Sequence, residues 1–290
     1  MEANGSRTAP EGERCRLCRS TNRVITEEHV PPKSAGNRGA FVGRTLRLEE
    51  GGFRTFSGAE GVSLRVLCER CNSRYGSSLG TTFGDFAKAV IGSGRLLTRD
   101  GRLFVSTQEI FPARVVRHLL LNHLCLLGDG EGPAPEDVRD FVRSRDPSPP
   151  PGLPNVSLYY NQSETFRVVP IAGVGSLLRR PRIGPWIGGE IAAPGLGAVF
   201  TYSGRDAIPA ITGTDLLDVS GWTSAGWKER VSLQLELPPT AIREPRPLGF
   251  GTPAEIEKRW STHSIVWLAV RGGPLDSSAA FWRRTKRRPA

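Results

Sequence analysis

The sequence lacks any long run of apolar residues. Its most hydrophobic stretch, residues 114 to 128, is interrupted by Arg117, His118, Asn122 and His123, so it is too short and too polar to cross a bilayer. The first fourteen residues contain no apolar segment of the kind found in a secretory leader. These two absences argue against a membrane partner and predict a cytoplasmic protein, in which cysteine thiols stay reduced.

Lysine is scarce as well: the chain contains five lysines and 34 arginines. The formal net charge is nevertheless +10 at pH 7, which favours a polyanionic partner, above all nucleic acid. Such an excess of arginine over lysine is also typical of a GC-rich genome, so the composition alone is weak evidence for phosphate recognition. A hydrophobic fraction of 38% predicts a globular chain with a proper core.

No internal repeat and no coiled-coil heptads are present, and the hydrophobic period changes along the chain. We predict an α+β fold with a cysteine-bearing module at 14–95, a helical segment at 96–148, a β-rich α+β domain of unknown role at 155–275 and a basic tail at 276–290. The proline-rich run at 146–154 (DPSPPPGLP) is the best linker between the second and third segments.

Local patterns predict the elements inside these segments. Residues 36–61 are rich in Gly and Arg and predict a loop or an irregular hairpin. Helices are expected from Cys68 past Arg74, over 109–127 and over 136–144. Period-two alternation then predicts strands in VSLYY, TFRVV, GAVFTY, VSLQLEL and HSIVWLAV.

Only five cysteines occur, and four of them form two C-x2-C pairs. The first pair is Cys15 and Cys18, and the second is Cys68 and Cys71. Each C-x2-C turn directs two thiolates at one point, so the two turns together predict a tetrahedral structural zinc site. The zinc would tie two distant segments together. The fifth cysteine, Cys125, lies in an apolar helical stretch and is expected to be a core residue.

Four cysteines alone favour an ordinary zinc ribbon without chemistry, because most such sites only hold the fold. The residues between and behind the pairs favour another interpretation. A short strand beginning at Val24-Ile25 leads to Glu28 and His29, and two prolines then turn the chain away. Asn72 directly follows the last of the four cysteines. A carboxylate, an imidazole and an amide therefore belong to one cysteine-bearing module.

In this order, these features resemble the HNH endonuclease superfamily, whose active site is a ββα-metal finger. The four cysteines are typical of the branch of this superfamily in which a zinc ion holds the finger together. The resemblance covers residues of about 14–80 and includes both cysteine pairs and the EHVPPKS segment. It implies that zinc is structural and that Glu28 and Asn72 hold a catalytic divalent ion, Mg²⁺ or Mn²⁺. It also implies that His29 is the general base for phosphodiester hydrolysis. The family often braces the following loop with an asparagine, and the pattern places Ser63 at that position.

Four cations close to these residues are candidates for nucleic-acid contacts. Arg70 and Arg74 flank Asn72, while Lys33 and Arg38 follow the predicted base. The alternative is that they form a solvated surface. We expect DNA rather than RNA as the nucleic acid, and the tail cations from Arg283 to Arg288 would add salt-dependent affinity.

Two other functions stay open from the sequence. One is a non-catalytic zinc-finger protein that binds nucleic acid. The other is a nuclease gated by a ligand of the C-terminal domain, whose tryptophans either stack on bases or belong to its core. His118 and His123 lie on the apolar helix and are expected to have no metal role.

Overall fold

The structure is a computed structural model. It describes residues 14–38, 41–47, 52–58, 61–93, 97–127, 135–161, 167–174, 186–202, 216–239 and 265–269. Helices and antiparallel sheets are mixed throughout these ranges, which confirms the α+β class. The predicted basic tail lies outside the described residues.

A two-stranded antiparallel ribbon and the helix behind it form the N-terminal part. The ribbon pairs β1 (Ile25–His29) with β4 (Ser63–Cys68). The chain then enters α1 (Glu69–Cys71), passes through one π-helical turn (Asn72–Gly76) and continues as α2 (Ser77–Gly92). The strand predicted at Val24-Ile25 and the helix predicted past Arg74 are both confirmed.

The long insertion between the two strands of this ribbon, predicted as a loop or an irregular hairpin, forms a hairpin with a regular register. Its strands are β2 (Phe41–Arg47) and β3 (Gly52–Gly58), which pair antiparallel. β2 also pairs on its other side with β12 (Ile265–Ala269). The insertion therefore belongs to the same sheet as the C-terminal strands.

That sheet has eight described strands in the order β10-β6-β9-β8-β7-β12-β2-β3, and every pairing in it is antiparallel. The strands not yet named are β6 (Asn155–Tyr159), β7 (Arg167–Val174), β8 (Trp186–Ala193), β9 (Leu196–Thr201) and β10 (Leu217–Asp218). The pattern of alternation predicts all of these except β8 and β10.

The helices α3 (Pro112–Leu126) and α4 (Pro135–Arg143) confirm the two predicted ones. α3 is buried on all sides from Val115 to Leu126 and packs against α2 and α4, so it is the central helix of the core. A second ribbon pairs β5 (Leu103–Ile110) with β11 (Val231–Leu237). The segment 96–148 therefore contains a strand in addition to its helices.

None of the described helices is both long enough and apolar enough to cross a bilayer.

Candidate metal centre

Four cysteine sulfurs meet where β4 passes into α1. The Sγ atoms of Cys15, Cys18, Cys68 and Cys71 all lie within 4.8 Å of one another, and those of Cys18 and Cys68 are 3.7 Å apart. Four sulfurs bound to one zinc ion at 2.3 Å are roughly 3.8 Å apart. The two predicted turns therefore converge on a group that can hold a metal ion such as zinc.

Backbone contacts hold the first pair against the second. The Arg16 amide donates to the Val66 carbonyl at 2.9 Å, and the Cys68 amide donates to the Cys15 sulfur at 3.3 Å. The Arg16 guanidinium also donates to the Cys125 carbonyl near the end of α3. A hydrogen bond from Cys71 lowers the pKa of Cys15 to about 4, which favours the thiolate form that binds a metal ion.

Glu28 is a buried carboxylate on β1, three residues after Ile25, the residue that pairs with Cys68. Its exposed fraction is 7%, and burial raises its pKa to about 7. No described residue gives its carboxylate a hydrogen bond or an ion pair. The charge of such a buried carboxylate is neutralised either by a bound proton or by a bound cation.

Asn72 presents its amide oxygen towards the same point. Its Nδ2 donates to the Thr26 hydroxyl at 3.1 Å and to the Glu27 carbonyl at 2.9 Å, which fixes the orientation of the amide. A Cβ added at Gly76 would lie 2.5 Å from Asn72 Oδ1 and 3.3 Å from Glu28 Oε2. The two oxygens thus face one space beside Gly76, as two ligands of a small divalent ion do.

His29 is the last residue of β1 and directly follows Glu28. It is half-buried, and its backbone lies opposite that of Ser63 in the ribbon. Successive side chains of a strand alternate between its two faces, so the position of His29 in β1 places its backbone, and not its imidazole ring, beside Glu28. The structure thus brings Glu28 and Asn72 to one space and places His29 next to it in the chain.

The loop after His29 is braced by a residue that the sequence pattern missed. Asn37 is fully buried; its Nδ2 donates to the carbonyls of Pro31 and Val62, and its Oδ1 accepts the Val62 amide at 2.7 Å. The expected brace, Ser63, lies instead in the strand ladder. An asparagine that follows a glycine in a polar loop gives no local signal of burial, so Asn37 was missed.

All four predicted contact cations are exposed. Arg70 and Arg74 are four residues apart, so they project from the same side of the helix that carries Asn72. The Arg74 guanidinium lies 5.4 Å from the centre of the Tyr75 ring, and Arg38 Nε donates to the Lys33 carbonyl. These positions suit either phosphate contacts or a solvated surface, and the predicted contacts stay a prediction.

The polar residues of α3 belong to the core. His118 and His123 are fully buried, and burial lowers the pKa of each to about 3, so both imidazoles are neutral. Cys125 is fully buried too, and burial raises its pKa, which keeps it a protonated thiol. Cys125 is therefore a core residue, as predicted.

Comparison with known proteins found no matching family model, no matching curated protein and no matching solved structure. The function is therefore argued from the residues of the candidate metal centre themselves.

Proposed function

We propose that this protein is a metal-dependent endonuclease of the HNH type, which hydrolyses phosphodiester bonds in nucleic acid, with DNA favoured. One observation carries the proposal: the buried, unpaired Glu28 carboxylate faces the same space as the oriented Asn72 amide oxygen, directly before His29. In this proposal β1, β4 and the helix that begins at Glu69 are the ββα-metal finger.

The two donor sets suit two different metals. Four thiolates favour zinc, which is structural in this proposal, whereas a carboxylate and an amide oxygen favour Mg²⁺ or Mn²⁺. Glu28 and Asn72 would hold the divalent ion, which when bound supplies positive charge beside the scissile phosphate. Reduced cysteines fit the cytoplasm, where we place the protein.

The side chains of the chain itself provide the remaining chemistry. An imidazole titrates near neutral pH, so His29 can accept a proton from the attacking water at a ring nitrogen. The exposed cations Arg70, Arg74, Lys33 and Arg38 would hold phosphate oxygens on either side of the scissile bond. The Asn37 brace keeps the loop after His29 in place.

Plasmid nicking tests the proposal. Supercoiled DNA is incubated with zinc-loaded protein and Mg²⁺ or Mn²⁺, and wild type is compared with His29→Ala. We expect wild type to produce open circles or linear DNA and His29→Ala to be slower by roughly 100-fold or more, because general-base catalysis contributes about this much. Glu28→Gln should lose activity as well, while Glu27→Gln at the exposed neighbouring position should keep it.

Equal nicking by wild type and His29→Ala, or no nicking by either, would show that the proposal is wrong. DNA binding without any cleavage would then favour the non-catalytic zinc-finger protein. Cleavage that appears only after a small ligand is added would favour a nuclease gated through its C-terminal domain.

A further inference from the structure

Arginines and aromatic rings cluster at the end of α3 that is remote from the cysteines. The residues of this cluster, called here the Trp227 patch, are Phe111, Arg114, Arg145, Trp227 and Arg230. The guanidinium of Arg114 lies 3.9 Å from the centre of the Phe111 ring and 5.1 Å from that of Trp227. Arg145 lies 5.3 Å from the Trp227 ring, and Arg230 lies 4.8 Å from the Phe111 ring.

The positive charge of the Trp227 patch is poorly neutralised. Among the described residues, no carboxylate lies within ion-pair distance of Arg114 or Arg145. Burial first, and then the nearby charges of Arg230 and Arg145, lower the pKa of Arg114. Arg230 pairs with Glu109 at 3.0 Å, but both side chains are largely exposed, so this pair contributes little.

Two further carboxylates, Asp146 and Glu229, adjoin residues of the Trp227 patch in the sequence, and neither forms an ion pair with a described arginine of the patch. Asp146 accepts the amide of Ser148 at 2.9 Å, and Glu229 accepts the amide of Gly226 at 2.8 Å. Within the part of the chain that the structure describes, three arginines that share a single exposed ion pair leave a net positive charge, so the Trp227 patch is suited to an anionic partner.

The aromatic rings also orient the donors. When a guanidinium stacks on an aromatic ring, the flat face of the guanidinium contacts the ring. The N–H groups along the edge of the guanidinium stay available for bidentate contact with a phosphate. Arg114 donates its Nε–H to the Trp227 carbonyl at 3.2 Å, so its terminal nitrogens are the donors that could contact a phosphate. Arg145 and Arg230 are exposed and can reach a partner on the surface.

α3 links the Trp227 patch to the candidate metal centre. Arg114 lies in its first turn, whereas the carbonyl of Cys125 near its end accepts a hydrogen bond from Arg16, the neighbour of Cys15. Eleven residues of helix span about 16 Å. Along a DNA duplex with a rise of 3.4 Å this corresponds to about five base pairs, so the distance from the Trp227 patch to the cysteine end of α3 is short compared with a duplex substrate.

We propose that the Trp227 patch is a second binding surface for the phosphate backbone of the nucleic-acid substrate, contacted by Arg114, Arg145 and Arg230. The inference rests on the proposed function, because the surface would serve the same substrate as the candidate metal centre. A surface of this kind carries no sequence information of its own and adds affinity that depends on salt.

The test measures binding rather than cleavage. The full-length, zinc-loaded protein is titrated into a fluorescein-labelled 30-base-pair duplex without Mg²⁺ or Mn²⁺, over a range of NaCl concentrations. For the double variant Arg145→Gln/Arg230→Gln, we expect roughly tenfold weaker binding near 0.1 M salt and a slope of log K against log[NaCl] that is smaller by about 1.8, because two phosphate contacts are lost. The charge-conserving variant Arg145→Lys/Arg230→Lys should keep the wild-type slope.

A matched control removes two exposed charges elsewhere, at Lys88 on α2 and Arg99 in the turn before β5. Lys88→Gln/Arg99→Gln should keep the wild-type slope, and zinc content and thermal unfolding should be the same in all variants. Equal slopes for the wild type and the patch variant, or equal losses in the patch and control variants, would overturn the inference. So would a patch variant that loses binding to phosphatidylserine vesicles but not to the duplex.

The two proposals fail separately. If the patch variant shows the expected loss but the wild type never nicks DNA, the surface stands and the nuclease proposal falls. If the wild type nicks DNA in a His29-dependent way but the patch variant binds normally, the nuclease proposal stands and the second surface is wrong.

Discussion

Glu28 shows how a single buried group determines what the candidate metal centre can do. Its carboxylate has no protein cation beside it among the described residues, and Asn72 adds a neutral oxygen rather than a charge. Without a metal ion, the site therefore favours a protonated carboxyl group, and with one it favours the carboxylate.

This residue gives the folded protein a specific dependence on pH. Burial raises the pKa of Glu28 from 4.5 to about 7, so the folded chain binds that proton more tightly than the unfolded chain does. The resulting stability is lost as the pH rises from about 4.5 through about 7. In buffer without Mg²⁺ or Mn²⁺, we expect Glu28 to lower the free energy of unfolding by up to roughly 3 kcal/mol over this window. Glu28→Gln should remove that decrease in urea unfolding.

The exposed neighbour provides the control, since Glu27→Gln should keep the wild-type pH dependence. Mg²⁺ added at pH 8 should stabilise the wild type but not Glu28→Gln, because only the carboxylate gains from the cation. An unchanged pH dependence in Glu28→Gln would contradict the burial argument.

Asn37 is the second residue with a distinct expected effect. Asn37→Ala would remove the partner of the buried Pro31 carbonyl and of the Val62 amide, and each such loss costs about 1–3 kcal/mol. The Val62 carbonyl would keep its bond from the Val30 amide at 3.1 Å. We expect the variant to lose roughly 2–4 kcal/mol in urea unfolding, whereas Ser63→Ala should lose less than about 1 kcal/mol. Equal losses at the two positions would show that Asn37 is not the brace of this loop.

At the scale of elements, two of the glycines in the π-helical turn and α2, Gly76 and Gly80, face different neighbours. Alanine is the better helix former by up to about 1 kcal/mol, so either glycine-to-alanine change would favour the helix on propensity alone. A Cβ at Gly76 would collide with Asn72 Oδ1, whereas one at Gly80 would make an ordinary contact of 3.5 Å with His118. We expect Gly76→Ala to slow Mg²⁺-dependent nicking by tenfold or more and Gly80→Ala to keep it.

Both variants should unfold at similar denaturant concentrations, which separates an effect on the site from an effect on the fold. Equal nicking rates for the two alanine variants would show that the space beside Gly76 is not used by the reaction.

The four-cysteine cluster joins two segments that the sequence separates by about fifty residues. Cys68→Ser should therefore reduce the zinc measured by atomic emission from about one ion to none per chain and should unfold the ribbon of β1 and β4, because a structural zinc contributes folding free energy directly. Cys125→Ala is the matched control, since Cys125 is buried but lies outside the cluster. Retention of a full zinc ion by Cys68→Ser would contradict the four-sulfur site.

The sequence predicted those elements that depend on residues close together in the chain. The two C-x2-C turns indicated their convergence, and VSLQLEL shows the expected alternation, with Leu235 and Leu237 buried and Ser232, Gln234 and Glu236 exposed. β8 was missed because its two adjacent glycines interrupt the alternation of side chains. β5 was missed because Phe104 is exposed on its outer face, so its apolar residues do not follow a clean period of two.

At the scale of the whole molecule, the pairings between distant segments could not be predicted. Nothing in the residues of β2 indicates that β12 is its neighbour, because a strand's pattern specifies which face is buried and not which strand pairs with it. The role of Asn37 could not be predicted for the same reason, because its partner Val62 lies 25 residues away and no local pattern connects the two. The space shared by Glu28 and Asn72 was expected from the family resemblance, and the spacing of the residues alone would not have indicated it.

The pairing of β2 with β12 also has a consequence for biosynthesis. A ribosome adds about 5–20 residues per second, and about 200 residues separate the two strands, so a nascent β2 waits roughly 10–40 s for its partner. Throughout that interval one side of the β2–β3 hairpin displays unsatisfied amide and carbonyl groups, which are a template for strands of other polypeptides. We therefore expect the yield of folded protein to depend on how soon after β2 the C-terminal strand β12 is synthesised.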